Sequence, residues 1–159
     1  MAIRQIVKIG DDILRKKCRP VEKFDDKLHT LLNDMYETMV DANGVGLAAP
    51  QVGVLRRLFI IETEETGLIE CINPEIVETL GYQTGQESCL SVIEQSGYVK
   101  RPAIVKVKAQ DRNGKEFEVV VKKLAARAMC HENDHLDGTL FIDKVIEEYD
   151  GEDNYSEQA

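Results

Sequence analysis

Several things are scarce or missing in this chain, and each narrows what it can be. No apolar run approaches the roughly 20 residues that a membrane-spanning helix needs. The opening Met1-Ala2-Ile3-Arg4-Gln5-Ile6-Val7-Lys8 lacks the charged-then-apolar layout of a signal peptide, so neither export nor a membrane is expected. The four cysteines (Cys18, Cys71, Cys89 and Cys130) form no Cys-x-x-Cys, which excludes a zinc ribbon or a thioredoxin-like motif. Without a secretion signal they point to a reduced, cytoplasmic setting rather than a disulfide framework. Basic residues are outnumbered: 20 Lys and Arg face 29 Asp and Glu, a formal charge of −9, which argues against nucleic-acid binding as the main task. There is no internal repeat and no long linker, and the four prolines are scattered.

The acidic excess is uneven. Six acids and no bases lie between Glu147 and Ala159, and without them the body stands at −3. The expected organisation is one domain over residues 1–146, followed by an acidic tail, 147–159, too poor in apolar residues to fold. At 159 residues and 43% apolar composition, one domain can bury an ordinary core.

Between Asp25 and Ala42, Leu28, Leu31, Leu32, Met35, Tyr36, Met39 and Val40 keep the three-four spacing of a buried helical stripe. Asp25-Asp26 opens this helix and Asn43-Gly44 closes it. Strands are expected over Arg57–Glu62, Leu68–Asn73 and near Glu75–Leu80. Ile104–Gln110 and Glu116–Val121 alternate apolar and polar residues around Asp111-Arg112-Asn113-Gly114, a hairpin signal in which Asn-Gly supplies positive φ. A second helix runs from Leu124 to Leu136 and stops at Asp137-Gly138. Helix, many strands, then helix is the order of an α+β fold rather than of alternating βαβ units.

The second helix contains His131-Glu132-Asn133-Asp134-His135. Residues four apart lie one turn above each other on one face, so two imidazoles can each aim a nitrogen at one divalent metal. Glu132, at the edge of that face, can reach a water there as general base. The plainer alternative is two helix histidines that happen to be four apart; only three histidines exist in the chain, and two fall here. Catalytic sites of this kind usually take a third protein ligand. His29 lies far upstream, and Glu147 and Glu148 sit beside the acidic tail. Cys89, in the polar stretch Gln86-Glu87-Ser88-Cys89-Leu90-Ser91, is the candidate, with a packing role equally open. Cys130 points about 100° away from His131 and reads as packing, as do Cys18 and Cys71. The loop Gly44-Val45-Gly46-Leu47-Ala48-Ala49-Pro50-Gln51 lets backbone approach a ligand closely and offers the Gln51 amide. Read alone, it could equally be a tight helix-to-strand connection.

Together, Gly44-Val45-Gly46-Leu47-Ala48-Ala49-Pro50-Gln51, Glu87-Ser88-Cys89-Leu90-Ser91 and His131-Glu132-Asn133-Asp134-His135 resemble the three ordered motifs of the peptide deformylase family. The resemblance runs from the N-terminal segment to about Val145 and includes Asn73-Pro74, Arg101-Pro102 and His135-Leu136-Asp137-Gly138. It implies a compact α+β fold, with antiparallel strands packed around a metal-binding C-terminal helix and an N-terminal helix. It implies hydrolysis of the N-formyl group from N-formylmethionyl nascent chains. Cys89, His131 and His135 would hold a divalent metal, Fe2+ by family habit, with Zn2+, Ni2+ or Co2+ as substitutes. Glu132 would carry the proton, and Gln51 and the Leu90 backbone N–H would hold the oxyanion. The peptide would add as a strand near Val45 and Gly46, its methionine side chain entering a pocket of Val45, Leu124 and Ala128.

Three departures stand out. Ser88 replaces a glycine before the cysteine, with a strain cost if that position needs positive φ. Ile93 replaces a proline, and Lys122-Lys123 replaces a Gly-Glu pair. They motivate one rival, a weakly active paralogue that binds formylated peptides. A second rival, a metallopeptidase cleaving internal peptide bonds, needs a downstream third ligand, and none in the sequence is well placed. An acidic tail suits ribosomal RNA poorly, so a transient ribosome contact would use another face, and the tail would be dispensable for chemistry.

Overall fold

The computed structural model describes residues 2–146; the acidic tail lies outside them. Their helices are α1 (Asp26–Asp41) and α2 (Lys123–His135). Their strands are β1 (Gly46–Ala48), β2 (Leu58–Thr63), β3 (Gly67–Leu80), β4 (Gln83–Cys89), β5 (Val92–Arg101), β6 (Ile104–Gln110) and β7 (Glu116–Lys122). One antiparallel sheet has the order β1-β2-β3-β6-β7, and β4-β5 is a separate hairpin. No helix among the described residues is long and apolar enough to cross a membrane.

The Asp25 side chain caps α1 by accepting from the Leu28 N–H at 3.1 Å. Leu28, Leu31, Leu32, Met35 and Met39 are buried against Leu47, Leu58, Ile60 and Ile72. Val40 departs from the expected stripe and is half exposed, because one residue past Met39 is a turn of about 100° away from the core. On the opposite face of the sheet, Ala125, Ala126 and Met129 of α2 pack on Phe59, Ile61, Cys71, Val105 and Val107. β2 is therefore covered on both sides, which is why Leu58-Phe59-Ile60-Ile61 is apolar without alternation. Cys18, Cys71 and Cys130 are buried, as expected.

Three local features differ from the sequence expectation. The two strands expected on either side of Pro74 are one strand, β3, whose register shifts between Ile72 and Glu75. Proline cannot donate to a ladder, and Asn73 at φ +51° turns the chain out of it. The Asn73 amide pins that bulge by donating to the Val21 and Gln110 oxygens at 2.9 and 2.8 Å. In the β6–β7 hairpin only Gly114 is left-handed, at φ +85°, whereas Asn113 is not. The loop is longer than a two-residue turn: Asp111 N–H donates to the Lys115 carbonyl at 2.9 Å. Last, β4 and β5 form a hairpin where no strand pair was expected. Gln83, Thr84 and Glu87 of β4 are buried polar residues, so the strand carries no apolar alternation.

Candidate active site

Three elements converge beside the edge strand β1. The end of β4 delivers Cys89, the last two turns of α2 deliver His131, Glu132 and His135, and the 3-10 turn Ala49–Val52 after β1 delivers Gln51. The donor atoms of Cys89, His131 and His135 all lie within 4.8 Å of one another, the one such trio among the described residues. Cys89 Sγ is 3.4 Å from His135 Nε2. The imidazoles meet edge to face with centroids 5.2 Å apart, and His131 stacks on Phe141. Cys130 faces the core instead, as its angular offset on the helix predicts.

His131 is oriented from behind. Its Nδ1 bonds Glu87 Oε1 at 2.9 Å, which leaves Nε2 for the cysteine side. Glu87 in turn accepts from Arg101 Nε and Nη2, both at 2.9 Å, and from Arg127 Nη1 at 2.6 Å. Arg101 also reaches Asp134 on α2 at 2.6 Å. Burial works to raise the Glu87 carboxyl, but the bonds from His131 and Arg101 outweigh it and hold it at about 2. Burial works against charge on His131 too, yet Glu132, Cys89 and Glu87 raise it to about 10. His135 goes the other way: burial, then the His131 and Arg101 charges, lower it to about 3.

Glu132 is enclosed, and burial raises its carboxyl to about 7 against the pull of His131. Its Oε2 stands 4.0 Å from His131 Nε2. Gly46 makes the room: a Cβ there would sit 2.6 Å from that oxygen. The Gln51 amide is locked, its Oε1 accepting from Ala48 N–H at 2.9 Å. Its Nε2 is thereby aimed at Ser91 Oγ (3.1 Å) and Cys89 Sγ (3.6 Å). The N-terminal segment braces both pieces, Val7 N–H donating to the Gln51 carbonyl and Ile9 N–H to that of Ser91.

A cleft of about 290 Å³ opens onto these groups. Its lining includes every residue the sequence marked for substrate (Val45, Gly46, Leu124, Ala128), together with Gln51, Cys89, Leu90, His131 and Glu132. Ser88 lies exposed on the rim, outside the left-handed region, so the replaced glycine costs no backbone strain. Left-handed backbone falls instead at Glu94, φ +66°, next to Ile93, and at Lys123, φ +53°, where α2 begins. Glu87, Arg101, Asp134 and Arg127 received no role from the sequence. Their signal was the placement of Glu87 two residues before Cys89 and of Asp134 inside the histidine motif.

The residues fit a divalent cation. One thiolate and two imidazoles form a borderline-soft set suited to Fe2+, Zn2+, Co2+ or Ni2+. Glu132 Oε1 and His135 Nδ1, both buried, have no hydrogen-bond partner within the protein. The third donor comes from upstream, unlike the downstream ligand a metallopeptidase of internal bonds would require.

The polypeptide deformylase family model matches residues 3–150. Peptide deformylase 1 of Clostridium acetobutylicum is 55% identical over 147 residues, covering 92% of this chain and 97% of that protein. The peptide deformylase of Caldicellulosiruptor bescii is 57% identical over 146 residues, 92% of this chain and 87% of its own. Among solved structures, the Thermotoga maritima peptide deformylase superposes with a TM-score of 0.89 at 40% identity, covering 92% of this chain and 99% of that one. The Legionella pneumophila enzyme gives 0.88 at 47% identity, over 92% and 88%. Nothing in these relatives favours a binding-only paralogue. Fold, site and kinship agree: the chain belongs to the polypeptide deformylase family, metal-dependent hydrolases that remove the N-formyl group from formylmethionyl nascent peptides.

Proposed function

We propose that Cys89 Sγ, His131 Nε2 and His135 hold one divalent cation, Fe2+ in the native enzyme, with Zn2+, Ni2+ or Co2+ able to replace it. The observation that carries this is the trio of donor atoms within 4.8 Å, with a buried carboxylate beside it. A cation bound there polarises the formyl oxygen and lowers the pKa of a water. Glu132 takes the proton of the attacking water and returns it to the departing amine, so that formate and a free methionine N-terminus leave. Burial raises that carboxyl above its ordinary value, which favours its keeping the proton between the two transfers.

Gln51 Nε2 and the Leu90 backbone N–H donate to the oxyanion as charge develops on the formyl oxygen. The Gln51 amide is held in place beforehand by Ala48 and Ser91, so little reorganisation is left for the reaction step. The formyl peptide adds as a strand along β1, one of the two edges of the sheet, using the backbone near Val45 and Gly46. Its methionine side chain occupies the space between Val45, Leu124 and Ala128. Residues 1–146 form the catalytic domain in the cytoplasm. Any ribosome contact uses a face other than the acidic segment 147–159.

The test is to purify the protein anaerobically, measure bound metal and follow formate release from a formyl-Met tripeptide. The expected result is one metal per chain and steady turnover with Fe2+. Cys89→Ala should lose both metal and turnover, whereas Cys130→Ala should keep both and lose stability, on the order of 1 kcal/mol for a small buried group. A Cys89→Ala protein that keeps its metal contradicts the ligand assignment.

A further inference from the structure

Cys89 and the two histidines sit on different pieces of the fold. Cys89 ends a two-stranded hairpin that shares no ladder with the main sheet, while His131 and His135 ride on α2. Backbone hydrogen bonds within either element leave the distance between them free. Ties between the two elements must help to set it, and the direct ones to the last turns of α2 are made by side chains.

Arg127 lies one helical turn before His131, and its side chain leaves α2 for the hairpin. Its Nη1 donates to Glu87 Oε2 at 2.6 Å and to the Val99 carbonyl at 3.1 Å, so one group engages both β4 and β5. Strand β4 is shaped to receive it. A Cβ at Gly85 would stand 2.8 Å from Nη2 and 3.1 Å from Cζ, and Gly85 is outside the left-handed region, so glycine serves here as space and not as a turn. Arg127 is buried, its side chain 11% exposed, and forms part of the cleft wall beside Leu124 and Ala128. Arg101 makes a second tie, from β5 to Asp134 of α2. Two guanidinium groups on one buried carboxylate are costly to desolvate, and an apolar pair of similar volume would stabilise the fold as well. Such an arrangement makes sense where position matters more than stability.

We propose that Arg127 is a positioning residue for the metal ligands. Through Glu87 and Val99 it fixes the hairpin against α2, and through Glu87 it holds the carboxylate that orients His131. The inference rests on Cys89, His131 and His135 being the ligands, and it adds a residue one shell further out. Removing a group of that kind weakens metal binding by about 10- to 100-fold.

The experiment titrates metal-free protein with Co2+ in competition with a chromophoric chelator, together with the cobalt–thiolate absorption and thermal unfolding of the metal-free state. Arg127→Met should bind Co2+ roughly 10- to 100-fold more weakly, with an altered cobalt spectrum. Arg127→Lys can place one cation on Glu87 but cannot also reach Val99, and should recover part of the loss. Arg112→Met is the control. It removes an ion pair of the same length but more exposed, to Glu70 at 2.6 Å on the far side of the sheet, and should lower the unfolding temperature modestly without changing Co2+ affinity. Wild-type Co2+ affinity in Arg127→Met overturns the proposal, while weak binding in Cys89→Ala would still uphold the ligand assignment. If Arg127→Met does not fold, Arg127→Lys decides: wild-type affinity there overturns the proposal, and a spectrally altered, weaker site supports it.

Discussion

Glu132 packs its carboxylate against the backbone of Gly46, where a Cβ would stand 2.6 Å from Oε2. The glycine is needed for room, since its φ lies in the ordinary range. Gly46→Ala should therefore push the carboxylate away from the formyl carbon while leaving Cys89, His131 and His135 untouched. Displacements of about 1 Å in a reacting group cost on the order of 100-fold in rate. The expected outcome is full metal content with formate release reduced about 100-fold, read by metal analysis and kcat together. Normal turnover would show that Glu132 does not need that space. His131, Glu132 and His135 were readable in the sequence because their geometry is local, set by one helical turn. Gly46 as the seat of Glu132, and Glu87 as the partner of His131, were not, because 86 and 44 positions separate those pairs and only the fold brings them together.

At the level of elements, the amphipathic stripe of α1 and the alternation of β6 were visible because each buries one face against a neighbour already implied by the pattern. The β4–β5 hairpin was invisible because its inward residues are polar. Gln83 donates to the Pro102 and Lys123 carbonyls at 3.1 and 2.8 Å, and Glu87 sits among two arginines and a histidine. The N-terminal segment is a further element with no periodicity of its own. It is fastened to α1 at Asp34, which accepts from Ala2 N–H at 2.7 Å and from Arg4 Nε at 3.0 Å. Burial acts to raise the Asp34 carboxyl, but the Ala2 and Arg4 bonds prevail and lower it. A carboxyl lowered on folding contributes stability above its unfolded value of about 3.9, and that contribution is lost as pH falls through the folded value. Asp34→Asn should cost about 1–2 kcal/mol at pH 7, discounted for the water that reaches Arg4. The gap between variant and wild type in unfolding temperature should close as the pH falls below that unfolded value and through the lowered, folded value of the carboxyl. A gap that stays constant with pH would mean that the fastening is not electrostatic.

Across the whole molecule, a sheet covered by α1 on one face and α2 on the other leaves β1 as a free edge, and the hairpin closes the cleft beside it. The three motifs far apart in the chain meet at that one place, which is why their order along the sequence carried the family so well. The convergence of the Cys89, His131 and His135 donor atoms, the Glu87 carboxylate behind His131 and the arginine ties belong to the folded chain alone. The central claim is that one site both holds a cation and moves a proton, with the two tasks on different residues. Glu132→Ala, loaded anaerobically with Fe2+ or Co2+, separates them most directly by parallel metal analysis and formate release from a formyl-Met tripeptide. The account predicts one metal per chain, as in the wild type, with turnover lowered by about 10²- to 10⁴-fold, the usual worth of a positioned proton carrier. Near-normal formate release from the metal-loaded variant would contradict it.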